Sequence, residues 1–163
     1  MPPFSIPLEQ RGFGFAWLLV CVAFAFHVWD EATHDFLGYF NATVLALYGH
    51  FSWFPRMDMT FRGWLLGLLI ATVILLALTA FAFQNARWLR PLAYVYAVVQ
   101  LANGIGHTLL QIRGGTVASV RFDGISPGFR TAPLLIIASL YLFWRLRKTG
   151  HERSGTSLLS APG

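Results

Sequence analysis

Residues 27 to 34 read His-Val-Trp-Asp-Glu-Ala-Thr-His, side-chain types that suit metal ligation or proton transfer. Three of the chain's seven acidic residues (Asp30, Glu31, Asp35) and two of its five histidines (His27, His34) fall between positions 27 and 35. On a helix, His27, Asp30, Glu31 and His34 share an arc of roughly 100°. The His27/Glu31 and Glu31/His34 spacings are those by which helical bundles hold zinc, iron or manganese. A second polar stripe, Gln100, Asn103, His107 and Gln111, covers an arc of roughly 80° further along the chain. His27, Glu31, His107 and His34 are therefore the candidate ligands of a divalent transition metal. His27, Asp30, Glu31, Asn103 and His107 are the candidate catalytic groups. Asp30 or Asn103 would complete the shell or orient a ligating imidazole.

Other chemistry fits the same residues. Without a metal, a carboxylate beside an imidazole in a water-poor pocket exchanges protons as general acid and base, the chemistry of an isomerase-like enzyme. A non-catalytic membrane subunit or an ion- or proton-handling protein is the second alternative, since buried Asp, Glu and His also mark such pathways. Against it, the second and fourth apolar stretches offer little polar beyond Thr72, Thr79 and Ser139. The plainest reading is that polar groups pair across helices or sit at the headgroup boundary, and this suits His34 and Asp35 best. Trp29, Trp53 and Phe54 would shape an apolar pocket or act as interfacial anchors. His50 reads as interfacial, and Cys21 as a small packing residue with no disulfide partner.

The elements that must position these groups are apolar. Of 163 residues, 56% are hydrophobic and 12% charged, with a mean hydropathy of +0.57. Soluble domains carry about 25% charged residues. The run from Gly63 to Phe83 has no charge at all, and about 18 or more apolar residues are read as a membrane helix. The expectation is an all-α integral membrane four-helix bundle, a single domain over residues 1–147. Its spans are at 12–33, 63–83, 91–112 and 131–144, and a polar, disordered tail follows at 148–163. Between the first two spans, residues 36–60 are rich in aromatics and read as an interfacial segment. The expected partners are the lipid bilayer and an apolar or lipid-like small-molecule substrate. The scattered basic residues suggest no nucleic acid.

Spans one and three run in the same direction. His27 lies sixteen positions past Arg11, and His107 sixteen past Pro91. At a rise of about 1.5 Å per residue both reach about 24 Å along their helices, near one edge of a core about 30 Å thick. Two polar faces at one depth in lipid are expected to face each other. Gly104 and Gly106 beside the second stripe would admit a neighbouring helix or a ligand. Counting Lys and Arg in the loops places both termini in the cytoplasm. Ala23-Phe24-Ala25 matches a signal-peptidase pattern, but no positive segment precedes it, so it reads as part of a retained span. Asn41-Ala42-Thr43 is a glycosylation sequon by pattern alone.

His27-x-x-Asp30-Glu31, Asn103-x-x-x-His107 and Ser126-Pro127-Gly128-x-x-Thr131-Ala132, in that order, resemble the HXXEE-motif family of small multi-span bacterial membrane proteins. The resemblance covers roughly residues 26 to 142. It implies a membrane-embedded enzyme, multi-pass in a bacterial inner membrane, whose site includes those histidines and carboxylates. The chain departs from the motif at Asp30, which stands where the family has its first Glu; the charge is kept and the reach is one methylene shorter.

Overall fold

A computed structural model describes residues 11–158. Six helices follow one another: α1 Gly12–Thr33, α2 Phe36–His50, α3 Phe61–Ala77, α4 Thr79–Phe83, α5 Leu89–Arg113 and α6 Ala132–Leu158. The protein is all-helical among the described residues, apart from one isolated antiparallel bridge between Gly115 and Arg121.

The helix ends follow local chemistry. Thr60 caps α3 by accepting from the Gly63 N–H at 3.3 Å, and Pro91 sits in the first turn of α5, where a missing N–H is harmless. Gly114 closes α5 in the left-handed conformation (φ 67°). Asp35 adopts the same region (φ 51°) and caps α2 through the Gly38 N–H. That residue makes the corner at which α1 gives way to α2.

α1 is the central helix and packs against α3, α4, α5 and α6. Its buried face (Phe13, Trp17, Val20, Cys21, Phe24) meets Leu89, Ala93, Tyr96 and Ala97 of α5 and Leu135, Ala138, Leu142 and Leu146 of α6. The Trp17 indole N–H donates to the Leu75 carbonyl at 3.0 Å, fixing α1 to α3 near the break at Leu78. α5 and α6 approach closely at Gly104, where a Cβ would lie 2.8 Å from Ile136 Cγ1 and 2.9 Å from the Ala132 carbonyl. Gly106 has nothing within 4 Å. Of the two glycines marked in the sequence, one admits a helix and the other leaves space.

Two stretches, Gly12–Thr33 and Phe61–Phe83, are long and apolar enough to cross a membrane. α5 is long enough at about 1.5 Å per residue, but its stripe of amides and histidine dilutes its hydropathy. α6 begins where the fourth span was expected and continues to Leu158, so the backbone is helical well into the segment read as a disordered tail. Residues 159–163 of that segment lie outside the described residues. Large apolar side chains are exposed on every long helix, among them Phe15, Phe26, Leu66, Val73, Val95, Val99, Ile137 and Leu140.

The aromatic segment is helical as α2 and then irregular to Thr60. The Asn41 amide clamps the two halves: Nδ2 donates to the Met59 carbonyl at 2.9 Å, and Oδ1 accepts from the Met59 N–H at 3.3 Å. The asparagine of the sequon pattern thus serves as an internal brace.

Candidate metal centre

His27, Asp30 and Glu31 lie in the last two turns of α1, His107 in the last two turns of α5, and Thr131 just before α6. All four of the ionisable groups are buried, His27 completely. Glu31 Oε1 stands between the two imidazoles, 3.5 Å from His27 Nε2 and 3.1 Å from His107 Nε2. One ligand atom from each of these three residues lies within 4.8 Å of the others. The rings themselves meet edge to face at 4.7 Å. The structure therefore brings together the three residues that the two polar arcs were expected to juxtapose.

The other ring nitrogens decide which proton each imidazole carries. His107 Nδ1 is 2.6 Å from the Pro127 carbonyl, which can only accept, so Nδ1 holds the proton. His27 Nδ1 is 2.9 Å from Thr131 Oγ1. That hydroxyl has one proton, and its other neighbours are acceptors: Asp30 Oδ2 at 3.1 Å and the Gly128 carbonyl at 3.2 Å. Thr131 donates to one of them and accepts from His27 Nδ1–H. The Thr131 N–H also donates to Asp30 Oδ2, at 3.3 Å. Each imidazole thus turns its Nε2 toward Glu31 Oε1, with its Nδ1 committed to a partner on the other side. His27 Nε2 is buried without a hydrogen-bond partner. This is the pattern of metal-ligating histidines, whose remote N–H is tied to a carbonyl or, here through a hydroxyl, to a carboxylate.

The distances agree with that chemistry. Ligands at about 2.0–2.1 Å from a tetrahedral ion stand about 3.3 Å apart, close to the two separations from Glu31. Helix dipoles act in the same sense. α1 and α5 both end near the cluster, their partial negative ends close to Glu31 and Asp30, and α1 has no basic residue in its last turn. A cation would offset all of this negative charge.

The loop before α6 forms the lid of the cluster. Gly128 (φ 77°) lies so close that a Cβ there would stand 2.7 Å from atoms of both imidazoles. Ser126 N–H donates to Gln111 Oε1 at 2.6 Å, tying the loop back to α5. Gln111, from the second polar stripe, therefore positions the loop.

Two sequence candidates lie outside the triangle. His34 Nδ1 is 2.9 Å from Asp30 Oδ1, and its side chain is partly exposed. Asn103 is half-buried, one turn before His107, and no hydrogen bond joins it to the cluster. Asp30 bridges His34 and Thr131, and reaches His27 only through Thr131. Thr131 and the Pro127 carbonyl had no assigned role in the sequence; the one signal was their place in the Ser-Pro-Gly segment.

Beside the cluster, α2, α5 and the loop enclose a cavity of about 520 Å³. His107, Gly106, Phe36, Tyr39, Leu110 and Phe122 are among its walls. His107 is the one member of the triangle in that wall, with the Phe36 ring 6.0 Å from its own. His50, at the end of α2, is exposed and not among the lining residues. No protein-family model, curated protein or solved structure matches the chain.

Proposed function

We propose that the chain crosses a membrane as a four-span bundle and is an enzyme whose metal is held by His27, Glu31 and His107, acting on a lipid-like or apolar substrate. The observation that carries this is the pair of imidazole Nε2 atoms converging on one carboxylate oxygen, each ring fixed by a hydrogen bond at its Nδ1. Three protein ligands leave coordination positions open, as catalytic sites require, and a metal there would supply Lewis acidity and activate a water molecule. Membrane insertion is supported by the two apolar stretches and by large apolar side chains exposed around the bundle, which water would not tolerate over so wide a surface. The resemblance to the HXXEE-motif family points the same way, to a bacterial inner membrane, and the distribution of Lys and Arg among the loops favours cytoplasmic termini.

A metal-free acid–base enzyme is the second reading, because 3.1 Å between His107 Nε2 and Glu31 Oε1 is also a hydrogen-bond distance when the imidazole is doubly protonated. Metal analysis of the purified protein separates the two. The metal centre requires about one transition-metal ion per chain and activity lost to chelators. The acid–base pair requires no metal and activity indifferent to chelation.

A further inference from the structure

The cavity against His107 has a second compartment. A notch of about 120 Å³ is lined by Arg113, Gly114, Gly115, Thr116, Ser119 and Arg121. Arg113 and Thr116 also line the apolar cavity, so the two spaces adjoin. The Gly115–Arg121 bridge builds the notch by folding residues 114–122 back on themselves, with Thr116 N–H donating to the Val120 carbonyl at 2.8 Å. The Thr116 hydroxyl accepts from Val120 N–H and keeps its own proton to donate. Neither arginine forms an ion pair with Asp123 or with any other carboxylate among the described residues. Two arginines and two hydroxyl-bearing residues lining a notch that adjoins an apolar cavity match a molecule with an oxyanion at one end and a hydrocarbon chain at the other.

We infer that the site binds a single-chain amphiphile with an oxyanion headgroup, its headgroup between Arg113 and Arg121 and its chain in the apolar cavity along α5 toward His107. The volume is within the range of about 300–1,000 Å³ typical of small-molecule sites. His107 and Arg113 are six positions apart on one helix, about 9 Å of rise. The group presented to the metal centre is therefore part of the chain, several bonds from the headgroup. That placement rests on the metal-centre reading; the binding does not.

The test is displacement of a fluorescent long-chain fatty acid from the full chain in nanodiscs of zwitterionic lipid. The competitors are lauryl phosphate, laurate, lauryl alcohol and inorganic phosphate. The two charged amphiphiles should bind about tenfold or more tightly than the alcohol, the worth of one charge-assisted hydrogen bond. Inorganic phosphate should not displace the probe. The double substitution Arg113→Gln/Arg121→Gln should bring the charged amphiphiles down to the alcohol, whose own binding is unchanged. Arg62→Gln, which removes an exposed arginine from neither compartment, should keep the preference. Equal binding of alcohol and anions by the unsubstituted protein would overturn the proposal. So would an equal loss in Arg62→Gln, which means bulk surface charge, or displacement by inorganic phosphate alone, which means a free-anion site. Glu31→Ala, in a residue outside both linings, separates this proposal from the metal reading. It should lose metal yet keep the preference for anions.

Discussion

Thr131 shows how much of the site depends on a residue that would touch neither metal nor substrate. Its hydroxyl accepts from His27 Nδ1–H while anchored to Asp30 or Gly128, and so fixes which ring nitrogen faces Glu31. Thr131→Val keeps the shape and removes the acceptor, so metal affinity measured by chelator competition should fall about 10–100-fold. Thr131→Ser restores the hydroxyl and should bind close to the unsubstituted protein. Gly128→Ala should be more severe. Its Cβ meets both imidazoles at 2.7 Å, and its φ of 77° disfavours any side chain. The same detail explains what the sequence hid. The positions of His27, Glu31 and His107 were legible because two polar arcs at one depth in apolar helices need each other. Thr131 and Pro127 act from a loop, where no periodicity says which way a group points. His34 was placed on the arc by assuming that α1 continues. The helix ends at Thr33, and His34 leaves the helical path (φ −121°, ψ 31°), so its side chain turns to Asp30.

At the level of elements, the α5–α6 contact carries the loop that covers the cluster. Gly104 is where α6 presses on α5, and Gly106 faces open space at the cavity wall. The same substitution should then have opposite signs at the two sites. Gly104→Ala forces a clash with the Ala132 carbonyl and Ile136, at a cost of about 1–3 kcal/mol. Gly106→Ala meets nothing and gains about 0.8–1.0 kcal/mol of helix propensity. Thermal unfolding of the two variants in detergent checks this: a lowered Tm for the first and a raised Tm for the second. The helices themselves were largely legible from apolar runs and Pro91. The break at Leu78 and the extension of α6 to Leu158 were not. Nothing in residues 70–83 departs from a continuous apolar helix, and a helical run of polar residues has no hydropathy signature.

For the whole molecule, the meeting of His27 with His107 sets the direction of travel. The ends of α1 and α5 and the start of α6 lie at the site, so the start of α1 and the far part of α6 lie at the other end. If the helices cross a bilayer as proposed, Gly12 and Lys148 lie on one face and the 114–130 loop on the opposite face. Cys21, the sole cysteine, is buried, so an introduced cysteine reports alone. Ser119→Cys and Lys148→Cys should label from opposite sides with a membrane-impermeant reagent; labelling from the same side would reject the four-span arrangement.

The most direct test of the metal centre is X-ray absorption on metal-loaded protein. The expected spectrum has two imidazole nitrogens and a carboxylate oxygen at about 2.0–2.2 Å, with no sulfur. One imidazole should disappear in His107→Ala. A spectrum with no imidazole scattering, or one unchanged by His107→Ala, would place the metal elsewhere and contradict the centre described above.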